Sequence, residues 1–160
     1  DNSSVLENLA LLESARGNNQ DALDLASRLV DLDPKVGKSH IIQGRAQGAL
    51  DNRNAMLGDL LIGQALTSGE EIAPLQARSE AEKFGPKSDI LNQYRESGEP
   101  EEIRSYSDTG GSKYQIWFYW TRGRAYCFQD GKQLYQKQFA KVVPAEEMSE
   151  DGDDASPGGE

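Results

Sequence analysis

The sequence predicts an α+β protein, with helices first and an antiparallel sheet after them. None of the first 83 residues is aromatic, whereas ten of the twelve aromatic residues fall between Tyr106 and Phe139. Apolar residues of the first half recur at three- and four-residue spacing, as in amphipathic helices, and those of the second half alternate, as in half-buried strands. With 160 residues and 36% hydrophobic content, so abrupt a change of style favours two small units over one large core. The expected division is a helical region over residues 1–85, a helix plus a meander of three or four antiparallel strands over 86–143, and a disordered acidic tail over 144–160.

Leu6, Leu9, Ala10 and Leu12 begin the helical pattern, and Ala22, Leu25, Ala26, Leu29, Val30 and Leu32 continue it. Gly17-Asn18-Asn19 stops the first helix with residues that tolerate left-handed backbone, and Pro34 ends the second by disfavouring helical geometry at Asp33. A link that short makes the two helices antiparallel neighbours. From Ser39 the arrangement recurs, with Ile41, Ile42, Ala46 and Leu50, a turn at Asp51-Asn52, then Leu57, Leu60, Leu61, Ala65 and Leu66.

Gly17 and Asp51 stand 34 residues apart, as do Ala10 and Gly44. On these residues, and on GNNQDALDLASRLVDLDP in particular, the stretch 5–67 resembles the tetratricopeptide (TPR) family of 34-residue helical hairpins. The resemblance implies a concave, partner-binding helical surface. Leu and Ala replace the large aromatics of that family, and Gly63 stands where the first copy has Leu29. Gly48, Gly58 and Gly63, inside expected helices, each cost ~1 kcal/mol relative to Ala unless a neighbouring backbone uses the space. Two repeats are fewer than a free-standing solenoid needs, so they must cap themselves on something.

Ser68-Gly69-Glu70-Glu71 reads as the start of a fifth helix carrying Ile72, Leu75 and Ala81 up to Phe84-Gly85-Pro86. A sixth is expected over residues 87–96, with Ile90, Leu91 and Tyr94 inward, closed by Gly98 and Pro100. The period then changes to two. Ile103–Tyr106 forms a first strand, and Asp108-Thr109-Gly110-Gly111 turns into a second, Tyr114–Thr121. There Tyr114, Ile116, Phe118 and Trp120 share one face, and Gln115, Trp117, Tyr119 and Thr121 the other. Rings on both faces place this strand mid-sheet, with a helix over the first face and partial cover, or an exposed sticky surface, expected on the outward face of Trp117 and Tyr119. Arg124–Gln129 follows, and Asp130-Gly131 is a strong type I′ hairpin signal leading into Lys132–Phe139.

Gly98-Glu99-Pro100, Trp117 and Tyr119 in the middle strand, and Phe128 with Asp130-Gly131 make residues 87–135 similar to the SmpA/OmlA (BamE-like) lipoproteins. That resemblance implies an extracytoplasmic bacterial protein that assists envelope assembly by binding. The expected compartment is accordingly periplasm or cell envelope rather than cytoplasm. No apolar run is long enough to span a bilayer. Asp1 heads the chain as a processed or excised end would, and a lipid anchor upstream of it fits the envelope reading.

The net charge of −10 is largely a property of the tail, since removing Ala145–Glu160 leaves 20 acids against 17 bases. Low hydrophobicity and like charge predict that this tail solvates rather than folds. One cysteine, Cys127, excludes an internal disulfide, and with His40 the only histidine no Cys/His zinc cluster can form. Cys127 lies mid-strand, where a small packing residue is the ordinary reading, and His40 is expected on a helix surface or cap. No nucleophile, base and orienter occur together, and no Walker, GxSxG, HExxH or EF-hand pattern is present. Neither an enzyme nor a cofactor or metal protein is expected.

Seven bases against four acids over residues 101–141, with rings on a sheet, raise single-stranded RNA as an alternative, and RGRAYCF partly resembles the RNP1 element of RNA-recognition motifs. Arg124 and Gln129 occupy aromatic positions of that element, however, and the helices all precede the strands. A regulatory appendage of a larger enzyme is the other alternative. The reading that fits most of the chain is a non-catalytic protein-interaction or adaptor module. Its expected contact residues are Trp117, Tyr119, Arg122 and Arg124, and its partner a protein or peptide.

Overall fold

The structure, a computed structural model, describes residues 2–144. All of the expected disordered tail except Pro144 lies outside the described residues. Helices α1 (Asn2–Ala15) and α2 (Asn19–Leu32) form one hairpin, and α3 (Gly37–Ala49) and α4 (Arg53–Ser68) a second. Each turns through a residue of positive φ, Gly17 at 80° and Asp51 at 62°. Small residues let the helices approach: Ala10 and Ala26 are buried with Leu6, Leu29 and Ile42 in a core shared by α1, α2 and α3.

The chain then forms β1 (Glu70–Ile72), a 3₁₀ turn at Pro74–Gln76, α5 (Ala77–Glu82) and α6 (Asp89–Ser97). Ser88 caps α6 by accepting a hydrogen bond from the Leu91 amide. Four more strands follow: β2 (Glu102–Ser107), β3 (Lys113–Tyr119), β4 (Arg124–Gln129) and β5 (Lys132–Gln138). The sheet is antiparallel throughout, in the order β1-β2-β3-β4-β5. The β4–β5 turn has positive φ at both Asp130 (48°) and Gly131 (87°), as a type I′ hairpin demands.

Five strands replace the expected three or four, because Glu70-Glu71-Ile72 is an edge strand and not a helix start. Ile72 pairs with Ile103, and Arg104 bridges Glu71 and Glu102 while donating to the Gly69 carbonyl. A fifth helix survives only as the six residues of α5.

The alternation of β3 sorts its rings as the sequence predicts. Ile116, Phe118 and Trp120 join Ala125 and Cys127 beneath Ile62 and Ala65 of α4. Trp117, Tyr119, Ile103 and Phe128 form the opposite core with Ala77, Ala81, Ile90 and Leu91 of α5 and α6. The molecule therefore has three layers, with the second hairpin on one face of the sheet and the α5–α6 pair on the other. A register shift at Cys127/Phe128, where Phe128 pairs with Gln133 and Cys127 with Tyr135, makes Leu134 the extra residue of a β-bulge.

Burial of Trp117 at 0% exposure sets a measurable cost. Trp117→Ala is expected to destabilise the fold by about 3–5 kcal/mol, read as a shift of the urea midpoint at unchanged slope.

Candidate functional site

The four expected contact residues do not make a surface. Trp117 is wholly enclosed, edge-on to Phe128, with Nε1 donating to Gln115 Oε1 at 3.0 Å. Tyr119 is 2% exposed and its hydroxyl donates to the Gly98 carbonyl at 2.8 Å. The expected outward placement of this pair is thus corrected: α5 and α6, joined by a short loop, close over that face. Arg122 is exposed, but its guanidinium lies 5.2 Å from the Tyr119 ring centre and donates to the Ser97 carbonyl, clamping the end of α6. Arg124 is half-buried on β4, next to the sheet edge.

An open apolar groove lies elsewhere, between the second hairpin and the sheet. Its volume is about 720 Å³. Leu57, Leu60 and Leu61 of α4 and Ile41 of α3 form one wall, and Leu134, Tyr106 and Tyr114 the other. Tyr106 and Tyr114 are cross-strand partners with rings stacked 5.0 Å apart. Burial pushes the Tyr106 phenol up to about 12, so it stays protonated and able to donate. Leu57 is 57% exposed and Leu134 37%.

Arg45 lines the same groove with Gln64 and Gln129 and has no ion-pair or hydrogen-bond partner among the described residues. No acid lines it. The bulge brings Leu134 here, and Gln133-Leu134-Tyr135 carried a signal of it, because two adjacent apolar residues break the alternation of a strand. Arg45, one polar helix residue among many, carried none.

The second constellation is buried. His40, expected at a surface or cap, is 0% exposed. Its Nε2–H donates to the Pro34 carbonyl at 2.6 Å, leaving Nδ1 to accept from Lys137 Nζ at 2.7 Å. Lys137 Nζ lies 3.0 Å from Asp59 Oδ1, which also accepts the Tyr135 hydroxyl at 3.0 Å. Asp59 Oδ2 is buried with no hydrogen-bond partner. These four side chains tie α3 and α4 to β5.

Access for β5 comes from Gly58, where a Cβ would meet the Tyr135 ring at 1.9 Å. Burial drives the Asp59 carboxyl upward and the Lys137 ammonium downward, with their mutual attraction offsetting part of each shift. Burial first, and the Lys137 charge second, lower His40 to about 3. Burial likewise raises the Cys127 thiol, keeping it protonated and inert as a nucleophile. Asp59 was detectable as an acid three residues before Ile62, on the helix's buried face, but nothing local pairs it with Lys137.

Among the described residues, no cluster of His, Cys, Asp and Glu could hold a metal ion, and no helix is long and apolar enough to cross a membrane. Comparison of the chain with protein-family models, curated proteins and solved structures gives no match.

His40 sets a pH dependence. Its folded pKa lies below the ordinary 6.5, so the unfolded chain binds the proton more readily, and stability from this group is intact above about pH 6.5 and falls as pH drops towards about 3. Asp59, shifted upward, acts in the opposite sense above its ordinary value of 3.8. Urea titrations of the wild type and His40→Gln at several pH values isolate the histidine. The difference between the two stabilities is expected to shrink on acidification by up to about 1.4 kcal/mol per pH unit.

Proposed function

We propose that the chain is a non-catalytic protein-interaction module whose contact surface is the groove between the α3–α4 hairpin and the sheet. The observation that carries this reading is the pairing of exposed Leu57 and Leu134 with the unpartnered Arg45 around one open apolar channel. Such a channel suits an extended or helical peptide offering aliphatic side chains and one carboxylate. Apolar contact supplies affinity, and a charge-assisted hydrogen bond to a guanidinium selects the acid.

The TPR-like reading of residues 5–67 belongs to this proposal. It is supported by the positive-φ turns 34 residues apart and by small residues where the helices cross. The likeness of residues 87–135 to SmpA/OmlA-type modules rests on a helix leading into an antiparallel meander, and with it we propose a role in bacterial envelope assembly. Single-stranded RNA is the weaker reading, since helices cover the rings of both sheet faces and leave the Tyr106–Tyr114 stack as the main platform.

A displayed library of random 12-residue peptides, selected on the intact chain at moderate salt, tests the groove. Enriched peptides are expected to combine aliphatic residues with an acid. The double variant Leu57→Glu, Leu134→Glu is expected to lose their binding by at least roughly tenfold with its thermal midpoint little changed, because both side chains are exposed. Selected peptides that bind this variant undiminished, or a selection that enriches nothing, would remove the groove as the contact surface.

A further inference from the structure

We propose that Lys137 and Asp59 condense to an amide, an isopeptide cross-link that joins β5 to α4 and is made by the folded chain itself. The two side chains are 5% and 1% exposed, with Nζ 3.0 Å from Oδ1. As an ion pair they are poorly served. Among the described residues Oδ2 has no partner, and the three protons of an ammonium would find only Oδ1 and His40 Nδ1. Burial favours the uncharged amine and the uncharged acid, which are the forms that react, and the directions in which the two groups are shifted agree.

The surrounding groups supply the proton handling. His40 is neutral, with Nε2–H committed to the Pro34 carbonyl, so the Nδ1 lone pair faces Nζ at 2.7 Å. Tyr135 donates to Oδ1, where negative charge grows when Nζ adds to Cγ. In the step, the Nζ lone pair forms the bond to Cγ and Nζ gives a proton to Nδ1. The Cγ–Oδ2 bond then breaks, and Oδ2 departs as water with its own proton and the one returned by His40. No oxidant, reductant or second substrate is consumed.

Condensation of a dilute amine and acid in water is unfavourable. Two groups fixed in contact react with effective molarities of about 10⁵–10⁸ M, and exclusion of water protects the product. The product also removes the two buried ionisable groups and the orphaned Oδ2 together. Its N–H can still donate to His40, and its carbonyl can still accept from Tyr135.

Intact mass of the purified, folded chain tests the proposal. The expected mass is lower than that of the sequence by one water, about 18 Da. Succinimide formation at Asp130-Gly131 or Asp151-Gly152 loses the same mass, so a tryptic digest decides. The cross-link predicts a branched peptide in which residues 54–78 are joined through Asp59 to residues 133–141, uncut after Lys137. Lys137→Arg is expected to abolish the branch. A folded wild-type chain that keeps its full mass and yields linear peptides 133–137 and 138–141 overturns the proposal, leaving an ion pair. That result needs no variant to fold.

Discussion

The organisation of the molecule follows from β3, whose two faces both carry large rings. A strand with rings on one face can lie at a surface, with the other face in water, but Phe118 on one side, with Trp120 just past the strand's end, and Trp117 and Tyr119 on the other have to be covered twice. Cover comes from two different parts of the chain. The second hairpin lays Ile62 and Ala65 over the first set, and the α5–α6 pair, inserted between β1 and β2, lays Ala81, Ile90 and Leu91 over the second. The helical half, too short to stand as a solenoid, is closed by the sheet. The sheet in turn gains a layer it could not build from its own turns.

Where helix meets sheet, the apolar contact is interrupted by one polar cluster and one missing side chain. Gly58 lets the Tyr135 ring reach the α4 backbone, and beside it Asp59 and Lys137 are shut away from solvent. An arrangement of this kind fixes alignment. A one-residue slip of β5 would send Lys137 to the other face and leave Asp59 buried alone, at a cost of several kcal/mol.

Much of this was legible locally. Helical spacing, the Asp33-Pro34 stop, the turns at Gly17 and Asp51, the Asp130-Gly131 hairpin and the sorting of rings on β3 all depend on residues close together in the chain, and all appear in the structure. Three features depend on distant partners and were not legible. Glu70-Glu71-Ile72 is a strand only because Arg104 and Ile103 lie beside it. Alternation puts Trp117 and Tyr119 on one face together, yet it does not say whether a helix covers that face. The expected contact pair Trp117 and Tyr119 therefore dissolved into core, and the groove took its place from residues on α3, α4 and four strands. His40 and Lys137 are 97 positions apart, a separation no spacing rule spans.

That separation bears on how the chain is made. A ribosome delivers the residues of α3 and α4 well before those of β5, so for the whole interval Asp59 and His40 lack the strand that answers them. The bare flank at Gly58 stays open to solvent during the same interval. Until β5 arrives, the helical half keeps these polar groups at its centre, and that centre can dry out only when the strand packs against it. The β4–β5 hairpin is thus what completes this core, and a chain halted before Lys137 would present to the cell an uncovered leucine-rich segment with an acid in its middle.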